Sequence, residues 1–129
     1  MSTDILKAIQ DGEIFCHSNK THVNEIPWHE HPTFAGVALK HLITSTNTDG
    51  KFSSHLVRVQ SGYEIGEHIH AGKWELHEVI AGHGKCIMNN EEVEYYEGVA
   101  AVVPSDIPHI VKALEEDLYI LAKFVPALI

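Results

Sequence analysis

Apolar residues recur at helical spacing in one place, the start of the chain. In "STDILKAIQ", residues 2–10, Ile5, Leu6 and Ile9 share a face, Ser2 or Thr3 is placed to cap the N-terminus, Asp4 lies in the first turn and Asp11-Gly12 ends the segment. The helical period does not return. Beyond Gly12 the chain is a series of short runs rich in Val, Ile, Phe and Tyr between turn residues: "EIFCH", "HVNEI", "FAGVALKHLI", "FSSHLVRVQ", "WELHEVIAG", "KCIMN", "EVEYY", "VAAVV", "HIVKAL" and "DLYILAKFV". The turns between them, "NTDG", "SGYE", "AGHG", "NNEE" and "YEGV", carry Gly or Asn where positive backbone angles are cheap, and "MNNEEVEYYEG" reads as a hairpin. The pattern predicts an all-β chain of about ten strands behind one short helix. A closed or nearly closed barrel, or two packed sheets, hides the strand edges of such a chain.

Two strands break the alternation expected of a wall that faces water on one side. In "WELHEVIAG" and "DLYILAKFV" both faces are largely apolar, so something must cover the outer face, and pairing of two barrels is the simplest cover. Neither a repeat nor a Ser- or Pro-rich linker divides residues 1–129, which read as a single domain with 44% apolar and 21% charged residues, enough for a proper core.

Charge then narrows the partners. Nine basic against 18 acidic residues give a formal charge of −9, which opposes a phosphate backbone or an anionic membrane surface, and no basic stripe offsets it. Apolar stretches such as "GVAAVV" are too short to span a bilayer. Cys16 and Cys86 stand far apart without a CxxC spacing and read as reduced thiols, consistent with a cytoplasmic protein.

Histidine is the compositional outlier, with 11 residues spread along the chain. Four ligand-type side chains, His68, His70, Glu75 and His77, fall within "HIHAGKWELH". Residues i and i+2 of a strand point the same way, so His68 and His70 project together and can grip one ion. "AGKW" turns the chain, and Glu75 with His77 shares a face of the next strand, so one hairpin is expected to supply three ligands.

The stretch resembles the first motif of the cupin superfamily: Gly, five residues, His-x-His, three or four residues, Glu, six residues, Gly. Here Gly62, His68, His70, Glu75 and Gly82 fill every fixed position. The second motif is met over residues 98–113 by Gly98, Pro104 and His109, with Asp106 where the family has Gly and Ala113 where it has Asn. The resemblance implies a double-stranded β-helix, or jelly-roll, barrel whose interior holds one divalent transition metal on His68, His70, Glu75 and His109. That donor set suits Fe, Mn, Ni, Cu or Zn and leaves positions open to a substrate. Three roles are open to His77: an extra ligand, a general base, or a donor that orients a ligand. The leading expectation is a catalytic His77 handling protons.

The expected function is a metal-dependent small-molecule enzyme, a dioxygenase-like oxidoreductase working as a homodimer, with a sugar or keto-acid isomerase or lyase and a non-catalytic ligand sensor as alternatives. Elsewhere, "PWHEHPTF" places His29 and His31 between prolines, which suits an arm crossing to another subunit, anchored by Trp28 and Phe34. Arg58, the single arginine, is expected in a surface ion pair, the alternative being an inward clamp on a substrate carboxylate; the inward parity of its strand, and so of His55, is open.

Overall fold

A computed structural model describes residues 4–129. The short helix is present as α1 (Ile5–Gln10), capped by Asp4, whose side chain accepts from the Lys7 amide. Asp4 therefore takes the capping role expected of Ser2 or Thr3, which lie outside the described residues. Twelve strands follow: β1 (Glu13–Cys16), β2 (Asn19–His22), β3 (His29–Glu30), β4 (Val37–Ile43), β5 (Ser53–Val59), β6 (Glu64–His68), β7 (Trp74–Ala81), β8 (His83–Met88), β9 (Glu91–Tyr96), β10 (Ala100–Val103), β11 (His109–Ala113) and β12 (Leu118–Val125). A single helical turn, α2 (Ser45–Thr48), joins β4 to β5.

The expected strand "HVNEI" is instead a 3-10 turn over Val23–Glu25, and its place as a strand is taken by β2, which pairs with β1 as a small hairpin. The predicted hairpin "MNNEEVEYYEG" is β8 and β9, joined through Asn89 and Asn90 at φ of 52° and 64°, the left-handed pair a two-residue hairpin loop requires.

Two antiparallel sheets form the barrel, one in the order β10-β7-β12-β5-β4-β3 and the other β6-β11-β8-β9. The register of the larger sheet ranks its inward side chains in rows. From the apolar end these are Val37, Val59 and Leu118; then Leu39, Val57, Ile120 and Val79; then His41, His55, Ala122, His77 and Ala101; then Ser53, Phe124, Glu75 and Val103. Against the first two rows pack Cys86, Tyr95, Val111 and Ala113 of the smaller sheet in one buried cluster. The interior thus passes from a dry apolar floor to a band of imidazoles and carboxylate. This is the all-β, jelly-roll architecture expected.

Part of the outer cover comes from the chain's own N-terminal segment. The buried Lys40 reaches the Val23 carbonyl at 3.1 Å, and Trp28 lies against Lys40 and Arg58 on the outer face of β4 and β5. An apolar strip stays open where Phe52, Trp74, Val102 and Val125 border one shallow depression, each more than two-fifths exposed.

Candidate metal centre

His68 ends β6 and His109 opens β11, and the two are register partners in the smaller sheet. Each ring is fixed by a backbone carbonyl two residues back. The Nδ1–H of His68 donates to the Gly66 carbonyl at 2.7 Å, and that of His109 to the Ile107 carbonyl at 2.9 Å. Nδ1 is thereby occupied in both, which leaves Nε2 as the nitrogen facing the site, the arrangement in which an imidazole presents itself to a metal. His70 lies just past the end of β6, and one ring nitrogen from each of His68, His70 and His109 lies within 4.8 Å of the others.

The HxH pair and Glu75 do not share a hairpin. β6 belongs to the smaller sheet and β7 to the larger, so the turn at 69–73 carries the chain from one sheet to the other. Glu75 consequently meets two of the three imidazoles from the opposite wall, with Oε1 3.4 Å from His109 Nε2 and 3.7 Å from His70 Nε2, and stands outside the group in which the three histidines lie mutually close. The turn is tied from below by Asp106, whose carboxylate accepts from the Gly72 amide at 3.2 Å. Asp106 stands where the motif has glycine and keeps the left-handed backbone at φ 67°, a conformation Asp tolerates better than most residues.

Burial pushes His68 down to about 4, with His109 and His70 adding to the effect, and it lowers His70 as well. Burial opposes ionisation of Glu75 too, but His77, His109 and His70 facing it outweigh that and hold the carboxyl well below the usual range. Two neutral imidazoles and an ionised carboxylate therefore converge with His109, where burial opposes the charged form but Glu75 and the Ile107 carbonyl outweigh it and raise the pKa. Glu75 Oε1 and His109 Nε2 are buried without a hydrogen-bond partner, a costly state that a shared cation would relieve. The residues present fit a divalent metal.

His77 lies beside this group. Its Nε2 is 2.8 Å from Glu75 Oε2 and its Nδ1 is 2.7 Å from the Tyr95 hydroxyl. Tyr95, fully buried on β9, was not singled out from sequence, where "EVEYY" offers two adjacent tyrosines. Phe124 was missed as a wall of the site: its ring meets His70 edge-on at 4.8 Å between centroids and His55 at 5.6 Å. Phe34 approaches the His68 ring at 6.1 Å.

The remaining candidates lie elsewhere. Among the described residues Arg58 forms neither the expected surface ion pair nor an inward clamp; its guanidinium stacks over the Trp28 ring at 4.6 Å on the outer face. His29 and His31 do not belong to an arm that leaves the subunit. β3 pairs with β4 of the same chain, and His31 Nδ1 accepts from the Thr33 and Phe34 amides, which holds Phe34 toward the site. His55 faces inward but outside the cluster, with Nδ1 2.8 Å from His41 Nδ1 and Nε2 2.8 Å from Ser53 Oγ. Cys16 and Cys86 are both free thiols.

A two-sheet antiparallel barrel with three histidines and a glutamate meeting across its interior defines a class of protein. This chain belongs to the cupin family: the family's sequence profile, described as a cupin domain, matches residues 55–122. No curated protein sequence matches the chain. Among solved structures it is similar to a predicted oxalate decarboxylase from Thermotoga maritima (22% identity, TM-score 0.73, covering 80% of this chain and 95% of that one). It is also similar to KdgF from a Halomonas species (21%, TM-score 0.70, 80% and 90%) and to ectoine synthase from P. lautus (18%, TM-score 0.74, 84% and 78%). At these identities the likeness is one of fold. Among the described residues no helix is long and apolar enough to cross a membrane.

Proposed function

We propose that this cupin is a metal-dependent enzyme acting on a small molecule, an oxidoreductase of the dioxygenase type, with one divalent transition metal held by His68, His70, Glu75 and His109. The observation that carries the reading is the pair of buried, unpartnered atoms, Glu75 Oε1 and His109 Nε2, facing each other at 3.4 Å. When bound, such an ion supplies a Lewis-acid or redox centre with open positions for a chelating substrate. Three neutral imidazoles and one carboxylate leave a dication with a residual positive charge, which favours a substrate offering adjacent, partly anionic oxygens. His68 and His109 are held by their backbone carbonyls with Nε2 directed inward, and Phe124 and Phe34 restrict water beside them.

His77 acts through Glu75. Its two ring nitrogens are taken by Glu75 and Tyr95, so it serves as a positioning residue, and the proton-handling role expected of it is confined to that chain of hydrogen bonds. A lyase or decarboxylase using the same ion as a Lewis acid is the second reading, favoured by the likeness to a predicted oxalate decarboxylase. The expected homodimer belongs to the same proposal and is supported by the open apolar strip around Trp74 and Val125.

Elemental analysis of tag-free protein, beside a variant with both His68 and His109 changed to alanine, tests the reading. About one equivalent of a transition metal, lost in the variant, is expected, with metal-dependent oxygen uptake on chelating substrates. Metal-dependent turnover without oxygen consumption would move the assignment to the lyase reading. Tight ligand binding without turnover would make the chain a binding module, and failure to take up any supplied metal would sink the proposal.

A further inference from the structure

At its β3 edge the larger sheet presents histidines to a cavity that the metal centre does not use. His29 pairs with Leu39, and the His31 amide donates to the Val37 carbonyl, so both rings share the inward side with Leu39 and His41. Together with Leu128 and Ile129 these residues bound an open cavity of about 250 Å³. The Phe124 ring, against His70 on one side and His55 on the other, separates the group from the metal centre. Three rings are in contact: His29 stacks on His41 with centroids 5.2 Å apart, and His41 meets His55 edge-on at 5.0 Å. His55 is fully engaged, Nδ1 with His41 and Nε2 with Ser53 Oγ, each at 2.8 Å, and Ser53 accepts from the Leu128 amide at the cavity wall. His41 Nε2 and the His29 ring nitrogens are left over. Among the described residues none of them has a hydrogen-bond partner, and none is sealed off from the cavity.

Charge sets this trio apart. His22, His70, His77, His83 and His109 each lie 3.7 Å or less from a carboxylate oxygen. Among the described residues His29, His41 and His55 form no such pair. Glu30 borders the cavity but is exposed and lies on the opposite face of β3, and the Ile129 main-chain oxygen is turned to the Ser45 amide at 2.6 Å. His31 is occupied at Nδ1 by two amides. Burial lowers the pKa of His41 and His29 adds to the effect; burial and His41 do the same to His55, which Glu75 only partly offsets. The trio lacks a counter-ion, and it offers unpartnered nitrogens to a cavity walled by leucine, isoleucine and proline.

We propose that this cavity binds a small aliphatic carboxylate, its head group held by His29 and His41 Nε2 and its chain lying against Leu39, Leu128 and Ile129. The anion supplies the charge the trio lacks and lets His41 carry the proton that burial otherwise denies it. The aliphatic body covers apolar wall that is open to water without it. A volume at the small end for ligand cavities limits the chain to a few carbons. The site goes beyond the proposed metal enzyme and needs no metal.

The test is ring-resolved nitrogen-15 NMR of the histidines in metal-free protein at about pH 6, where carboxylates are ionised, titrated with acetate, butyrate and hexanoate and with hexanol as the neutral control. The His29 and His41 signals should shift saturably, with affinity rising about two- to fourfold for each added methylene. Hexanol should bind about tenfold more weakly than hexanoate, and His41→Gln should weaken hexanoate by about tenfold or more. His29→Leu, at an exposed ring, should weaken it about two- to fivefold. Shifts confined to His68, His70 and His109 would move the anion to the metal centre and overturn the proposal. So would hexanol binding as tightly as hexanoate, affinity independent of chain length, no saturable shift, or unchanged affinity in both variants. All but the last are read from wild type, so the proposal stays falsifiable even where His41→Gln does not fold. With no metal present, its failure is distinct from failure of the metal-enzyme reading.

Discussion

Gly82 and Gly98 are both motif glycines with positive φ, 92° and 100°, yet alanine should affect them very differently. A Cβ on Gly98 would meet nothing within 4 Å. Its substitution therefore carries conformational strain of about 1–2 kcal/mol, offset by about 0.4–1 kcal/mol of reduced unfolded-state entropy, for a net loss near 1 kcal/mol. A Cβ on Gly82 would lie 2.0 Å from the Asp117 carbonyl oxygen, 2.8 Å from its carbon and 2.9 Å from Leu118 Cα. These are backbone atoms leading into β12, which is paired on both sides, so they cannot swing away as a flexible side chain would. Forcing them apart adds about 1–3 kcal/mol of overpacking, bringing Gly82→Ala to roughly 3 kcal/mol. At about 4 °C per kcal/mol for a chain of this size, Tm should fall by roughly 12 °C for Gly82→Ala and roughly 4 °C for Gly98→Ala. Urea unfolding of the metal-free proteins, with unchanged m-values, measures both. Equal losses in the two variants would refute the claim that close approach of β12, and not backbone angle, dictates glycine at position 82.

Two further outcomes are expected. His83 donates from both ring nitrogens, to Glu115 at 2.5 Å and to Glu94 at 2.9 Å, which raises its pKa, while Glu115 is lowered by its own backbone and by His83. The raised histidine stabilises fully below its unfolded value of about 6.5 and less as pH climbs through its folded one; the lowered glutamate stabilises above about 4.3 and less as pH falls. The Tm advantage of wild type over His83→Gln should thus peak between those values and shrink by about pH 8; a pH-independent gap would refute the clamp. Sedimentation tests the apolar strip: wild type should run as a dimer and Trp74→Glu as a folded monomer, whereas a monomeric wild type would remove the dimer from the proposal.

What was legible in the sequence was chemistry gathered within one span of chain. His68, His70 and Glu75 lie within eight residues, and His109 was found through a second motif that survives two departures. Sheet assignment was not legible, because spacing along the chain says nothing of which wall a strand joins; β6 and β7 therefore read as a hairpin when they face each other across the interior. Parity failed on β5 for a different reason. Six of its seven residues are buried, the outer face lying under the N-terminal segment, so no alternation marks which side holds His55 and which Arg58. Tyr95 and Tyr96 show the same limit: one is 0% exposed and the other 54%, and only the pairing of Tyr95 with Gly84 decides which turns inward.

The histidine surplus resolves by row. His77 shares its row with His41 and His55, and the alanines at 122 and 101 give the bulky rings room; one row toward the mouth, Phe124 stands between Ser53 and Glu75. Its ring separates two groups of imidazoles, the cluster of His68, His70, His77 and His109 on one side and the His41–His55 pair on the other. In the second group the two facing Nδ1 atoms can share only one proton, and burial, with His41 adding, pushes His55 down to about 4, so the pair is neutral. His31 likewise accepts two amide hydrogens and must be unprotonated at Nδ1. A buried neutral imidazole is both donor and acceptor, which lets it satisfy a partner on either side where a lysine or glutamate would bring an uncompensated charge. The inward histidines of this chain therefore answer two demands, ligands for the proposed ion and neutral connectors inside a narrow barrel, and the spacing of His68, His70 and Glu75 separates the first from the second.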